Sequence, residues 1–399
     1  MLKTDETKQS ILVTAPQPFF QDRGTPIAVK LLVEELAKLG HDVHLLVFHE
    51  GENIEIPGVQ IHRASAPWGV HNIPPSISWK KIICDLSMFF KGFSLLRQNR
   101  YTVVHAVEES VFLAMVYKLF FGTPYIYDMD SSLAHQLIEK IPFLEKMSSA
   151  LQFFEKAAIK KSCGVVAVCR ELEDIVLSYA PGKNTVRLED ISLVDDAPVV
   201  GDNLREKYDI TGPLMLYVGN LEGYQGIDLL FEGFQLALKQ GGYANVVIIG
   251  GTEKTITEYK EVAERLGITE NVCFCGPRPI KALGYYLGQA DILLSPRIKG
   301  NNTPMKLYSY LGSGKVVLAT DLSTHTQVLT SAFSCLVSPN REGMAKGILD
   351  LLGDTELCIT LGQAGKKVAE ENYSLGVYQK KLECFYNKTF TYLTSQKLK

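Results

Sequence analysis

Residues 303–321 read TPMKLYSYLGSGKVVLATD. Pro304 suits the first turn of a helix, where its missing N–H leaves no bond unmade. Asn301, Asn302 and Thr303 crowd the start of that helix, and Lys306 falls in its first turn. Gly312 and Gly314 end the helix, and residues 316–319 follow as an apolar, β-branched strand. A polar loop, a helix and then a strand form the repeating piece of a parallel α/β sheet. Ligands of such sheets bind outside the carboxyl ends of the strands. The loops that follow strands are therefore where chemistry is expected.

The same alternation runs outward in both directions. Upstream in the same half, strands are predicted at 214–218, 246–249, 272–275 and 292–294, with helical patterns between them. An earlier set lies at 11–15, 43–48, 103–106, 125–127 and 165–168. Residues 28–39 show helical periodicity through Val29, Leu32, Val33, Leu36 and Leu39, closed by Gly40. Between the two sets, residues 191–203 read ISLVDDAPVVGDN, the composition of a linker. The predicted fold class is α/β, with two doubly wound, Rossmann-like parallel-sheet domains facing a central cleft. The expected boundaries are 1–195 and 205–373. A final helix over 374–399, with Tyr378, Leu382, Phe385 and Tyr386 on one face, is expected to pack back on the first domain.

Length and charge agree with that division. The chain has 399 residues, enough for two domains. Lysine and arginine total 41 against 44 aspartates and glutamates, a net charge of −3, which argues against a strongly basic nucleic-acid binder. The eight cysteines are scattered and form no CxxC pair, so they read as structural residues of a reducing compartment and not as a zinc site. His41 and His44 read as a turn and a strand residue. The opening MLKTDETKQS is polar and runs into a strand, which predicts a chain without a secretory signal. No apolar run approaches the roughly 18 residues of a membrane span. A cytoplasmic location is expected.

Several loops invite chemistry. Gly24 precedes Thr25, Pro26 and a helix, a place where backbone N–H groups can meet an anion. Gly219, Gly223 and Gly226 flank Asn220 and Gln225 ahead of another helix, and Gly250, Gly251 and Gly276 end the next two strands similarly. Asp128 and Asp130, two apart at a strand end, could hold a divalent cation with a diphosphate. The dinucleotide GxGxxG, the P-loop and the GxSxG elbow are all missing.

Taken together, the residues resemble a family. TPMKLYSYLGSGKVVLATD, VGNLEGYQGIDLLFEGF, GHDVHLLVF, YTVVHAVEES and CGPRPIKALGYYLGQADILLSPR occur in the order found in the family 4 retaining glycosyltransferases of the GT-B fold, also described as glycosyl transferases group 1. The resemblance spans nearly the whole chain. It implies a hexosyltransferase-like enzyme with a nucleotide-diphosphate-sugar donor held by the second domain and an acceptor on the first. The family setting suggests cell-envelope polysaccharide synthesis, with a glycan, lipid-linked or small-molecule acceptor. It implies no bound metal and no cofactor beyond the donor substrate. By position it places Gly24, Gly219, Asn220, Gln225, Gly276, Asn301, Asn302, Thr303 and Ser309 around the donor. Arg297 and Lys306 are expected to face the diphosphate, and Asp130 to orient the acceptor or the sugar.

Five departures accompany the resemblance, the first being Asp130, which stands where typical members carry a histidine after the strand at 125–127. Typical members carry an arginine at the place of Asn220 and a lysine at Gln225. They also carry two glutamates eight apart, where this chain has Asn301 and Ser309. Two alternatives follow: a metal-dependent transferase using Asp128 and Asp130, and a non-catalytic GT-B binding module. A separate expectation concerns residues 79–101. Trp79, Ile82, Ile83, Leu86, Phe89, Phe90, Phe93 and Leu96 fall at helical spacing, flanked by Lys80, Lys81, Lys91, Arg97 and Arg100. That pattern fits a core helix, or a basic amphipathic helix resting on the inner face of a membrane.

Overall fold

The computed structural model describes residues 8–22, 24–66, 69–73, 78–132, 148–194, 201–300 and 302–397. The chain divides into two compact units. Unit 1 comprises Met1–Glu189 and Gln379–Lys399, and unit 2 comprises Asp190–Tyr378.

Unit 1 is built on strands β1 (Ser10–Ala15), β2 (Asp42–Val47), β3 (Val59–Arg63), β4 (Val103–Val107), β5 (Tyr125–Met129), β6 (Gly164–Ala167) and β7 (Thr185–Arg187). Their spatial order is β3-β2-β1-β4-β5-β6-β7, and every pairing is parallel. β4 is buried at all five positions, VVHAV. Such continuous burial is what helices on both faces of a parallel sheet demand. One face packs Leu12, Leu46, Val104, Tyr125 and Val165 against Met88, Leu95, Val111 and Tyr117.

The first helix spans Gly24–Lys38, four residues longer at its start than the periodicity gave, because Pro26 is tolerated in the opening turn. The helix Trp79–Gln98 buries Cys84, Met88, Gly92, Leu95 and Leu96. It also buries Lys81, which forms an ion pair with Glu109, so Lys81 is no surface charge. Trp79, Ile82, Leu86 and Phe90 point outward instead, at 64, 62, 53 and 63% exposure.

The last helix, Leu375–Lys397, begins in unit 2 and belongs to unit 1 from Gln379 onward. Tyr386 hydroxyl lies 2.7 Å from His105 Nδ1, and His105 Nε2 lies 2.9 Å from Asp128 Oδ2. A neutral imidazole satisfies both contacts by donating to the carboxylate and accepting from the phenol. Gln379 donates to Glu35, Lys381 to Glu189, and Asn184 to Thr389, at 2.6–2.9 Å.

Unit 2 repeats the architecture with β8 (Leu214–Val218), β9 (Asn245–Ile249), β10 (Val272–Gly276), β11 (Ile292–Ser295), β12 (Val316–Thr320) and β13 (Cys335–Val337). The order is β10-β9-β8-β11-β12-β13, again all parallel. Alternate residues of β8 enter opposite layers: Met215 and Tyr217 one, Leu214 and Leu216 the other. The order reverses beside β8, so the loops after β8 and β11 flank the crevice where such sheets bind ligands.

Candidate active site

Those two loops are joined directly. Ile298 N donates to Tyr224 O at 3.0 Å. Gly226 has φ +74, and a Cβ there would lie 2.0 Å from Pro296 O, so only glycine lets the loops meet. Gly219, with φ +153, allows the same closeness to a side chain: a Cβ would lie 2.9 Å from Lys306 Nζ. Tyr310 receives Val218 N at 2.9 Å, which fixes the end of β8 to the helix Lys306–Gly312.

Two cations converge here. Lys306 Nζ lies 3.9 Å from the centre of the Tyr217 ring and donates to Gln225 Oε1 at 3.2 Å. Burial, reinforced by the Arg297 charge, pushes its ammonium well below the ordinary lysine value. No carboxylate pairs with it among the described residues. Arg297 is 9% exposed; its Nη1 donates to Asn302 O at 3.0 Å and Thr324 Oγ1 at 3.2 Å. Its guanidinium lies 5.1 Å from the Tyr224 ring centre. Thr303 Oγ1 is buried with no hydrogen-bond partner. Behind this layer, His325 is wholly buried between Ser295 and Thr320. Desolvation lowers it from 6.5 to about 4, so it packs as neutral imidazole.

The structure thus brings Gly219, Gln225, Arg297, Asn302, Thr303 and Lys306 together. Asn220 is exposed on the same loop, bonded to Tyr224 and Glu222 at 3.4 Å. Gly276 ends β10, its carbonyl receiving Gly250 N at 2.9 Å. Ser309 sits one turn along the helix, 1% exposed, accepting Leu193 N at 2.9 Å. Asn301 lies outside the described residues. Gly24 opens the first helix of unit 1, and Asp130 follows β5, partly buried. Sequence reasoning missed Tyr217, Tyr224, Tyr310 and Thr324. Tyr224, set between glycines in an exposed loop, was the one of these with a visible signal.

Two family models match the chain. The model described as Glycosyltransferase Family 4 covers residues 23–187, and the one described as Glycosyl transferases group 1 covers 202–368. This chain belongs to that family. It is a glycosyltransferase of the GT-B fold.

Solved structures agree on the fold. Sucrose-phosphate synthase from Thermosynechococcus elongatus matches with a TM-score of 0.78 at 17% identity, over 96% of this glycosyltransferase and 100% of that chain. HepE from Anabaena, solved in complex with UDP, gives 0.71 at 13% identity, over 95% and 100%. WaaG, a glycosyltransferase involved in lipopolysaccharide biosynthesis, gives 0.68 at 15% identity, over 94% and 98%. No sequence among curated proteins matches significantly. No helix of the described residues is long and apolar enough to cross a membrane.

Proposed function

We propose that this glycosyltransferase binds a nucleotide-diphosphate sugar on unit 2 and transfers the sugar, with retention, to a glycan, lipid-linked or small-molecule acceptor on unit 1. Lys306 carries the donor assignment. An ammonium buried on Tyr217, beside a second cation and without a balancing carboxylate, is unfavourable until an anion arrives. A diphosphate supplies that anion. HepE, solved with UDP and with UDP-glucose, supports a donor of this class.

The chemistry follows from that charge. As the bond from the sugar carbon to the phosphate oxygen breaks, negative charge grows on the leaving diphosphate. Arg297 and Lys306, already held in place, stabilise it without reorganising. The acceptor oxygen bonds to the same carbon, and its proton passes to the departing phosphate. Asp130 orients the acceptor or the sugar, and Gly219 and Thr303 line the donor side. Asp128 is engaged with His105 at 2.9 Å, which favours this metal-free reading over a metal held by Asp128 and Asp130.

The outward face of the helix Trp79–Gln98 supports peripheral contact with an anionic lipid surface. Trp79, Ile82, Leu86 and Phe90 line that face, and Leu119 and Phe120 of the neighbouring helix are 82 and 65% exposed. Lys80, Lys91, Arg97 and Arg100 supply the positive charge. This placement suits an envelope glycan or lipid-linked acceptor, and WaaG's role in lipopolysaccharide biosynthesis supports it.

A thermal-shift screen with UDP, GDP and ADP tests the donor assignment. A stabilising nucleotide whose effect vanishes in Lys306→Ala supports it; no shift with any of the three refutes it. NMR of the product anomer tests retention. Charge reversal at Lys80 and Lys91 should abolish binding to anionic vesicles, and an intact protein that ignores such vesicles removes the membrane contact.

A further inference from the structure

His49 and Glu50 follow directly on β2, and His71 lies in the segment after β3. One ring nitrogen of each histidine and one carboxylate oxygen of Glu50 all lie within 4.8 Å of one another. Ligand atoms 2.0–2.1 Å from a tetrahedral zinc ion sit about 3.3 Å apart. Closing the set therefore asks for movements of about 1.5 Å at most. His71, whose side chain is 68% exposed, is free to make them.

The other two ligands are already oriented. His49 Nε2 lies 2.7 Å from the Val70 carbonyl oxygen, which can only accept, so Nε2 carries the proton. The lone pair is then on Nδ1, and that atom is buried with no hydrogen-bond partner. A carbonyl that fixes the tautomer of a histidine is the usual support of a metal-bound imidazole. Glu50 receives Asn72 N at 2.5 Å and Ile73 N at 3.0 Å, one on each oxygen. Each oxygen keeps a second lone pair. His71 Nδ1 lies 3.8 Å from Glu50 Oε1.

We propose that His49, Glu50 and His71 form a zinc-type divalent metal site in unit 1, with water as the fourth ligand. Two imidazoles and one carboxylate suit zinc and exclude magnesium and calcium, which take oxygen ligands. The ion clamps the segment 69–73 to the end of β2. That end also receives Phe19 N and Arg63 Nη1 on the Glu50 carbonyl, each at 2.9 Å, so one ion ties together the chain after β1, β2 and β3. The role is structural and separate from the donor residues of unit 2.

The test is a cobalt titration of the untagged, chelator-stripped chain. Wild type should develop visible absorption of a four-coordinate ion, saturating at one equivalent and lost on adding zinc. His71→Ala and Glu50→Gln should each weaken binding at least tenfold. His71 is exposed enough that its variant keeps the metal-free circular dichroism of wild type. Failure to saturate at one equivalent overturns the site, as does equal affinity in His71→Ala. A sulfur charge-transfer band would assign the ion to a cysteine and overturn it too.

Discussion

Moving the lysine of the proposed donor site from one side of the loop to the other tests how the site handles charge. In typical family members a lysine stands at the place of Gln225; here Lys306 Nζ reaches Gln225 Oε1 at 3.2 Å. The two positions therefore serve nearly one point in space. A hydrogen bond from a charged donor contributes about 1.5–3 kcal/mol. Lys306→Met should accordingly weaken nucleoside-diphosphate binding roughly 10- to 150-fold, and lower turnover by at least tenfold. Gln225→Lys alone adds a second ammonium roughly 4 Å from the first, a repulsion of about 4 kcal/mol at an effective dielectric constant near 20. The unliganded variant should melt earlier and gain more than wild type from added nucleotide.

The double variant Gln225→Lys with Lys306→Met decides the matter. It restores one cation at nearly the original place and should recover affinity to within about threefold of wild type. Calorimetric titration with UDP, GDP and ADP measures affinity, and donor turnover measures the second effect. Unchanged binding in Lys306→Met refutes the role of the ammonium. A double variant no better than Lys306→Met refutes the equivalence of the two positions.

Three further outcomes are expected. Lys306 is depressed by burial and by Arg297, so an incoming diphosphate raises it, and binding above the depressed value takes up a proton. Calorimetry in buffers of different ionisation enthalpy should show that uptake, absent in Lys306→Met. His325 falls from 6.5 to about 4; between those values the unfolded chain binds the proton and the folded one does not. Unit 2 should therefore lose about 3 kcal/mol as pH falls from 6.5 to 4, and His325→Gln should flatten that part of a urea-midpoint profile. Tyr386→Phe leaves buried His105 without its hydroxyl partner, a cost of about 1–3 kcal/mol. Hydrogen exchange should show the last helix opening more often, with nucleotide affinity unchanged.

Most of the strands that were legible in sequence are buried on both faces, where a parallel sheet allows little but apolar residues; β10, an edge strand, was legible through its apolar run VCFC. β3, β7 and β13 escaped: β3 is only partly buried, VQIHR, and β7 and β13 have three residues each, TVR and CLV. All three lie at the edge of a sheet, where a long apolar run is not required. The helix Trp79–Gln98 misled in a different way. Its apolar residues cover more than one face, and periodicity does not say which part turns inward. Lys81 turns inward because Glu109, at the start of another helix, supplies its counter-charge. No spacing along the chain relates residue 81 to residue 109. In the donor site, glycines and Pro304 marked the loops, since backbone geometry restricts residue type locally. Tyr217 left no mark, because an aromatic near a strand end reads equally well as core.

The four departures that lie in unit 2 make better sense as one change than as four. Asn220 and Gln225 remove two positive charges from the loop; Asn301 and Ser309 remove two negative charges near the helix. The local sum is preserved. Ser309 shows what replaces a carboxylate at its place: its hydroxyl holds Leu193 N inside unit 2 at 2.9 Å, where a charged group would pay for desolvation. Lys306 has no carboxylate partner among the described residues, and burial and Arg297 depress it. A diphosphate bound as proposed would favour the charged form of Lys306, so the affinity of the donor and the protonation of Lys306 are linked. The proton taken up on binding is the measure of that linkage, and Lys306→Met should abolish it.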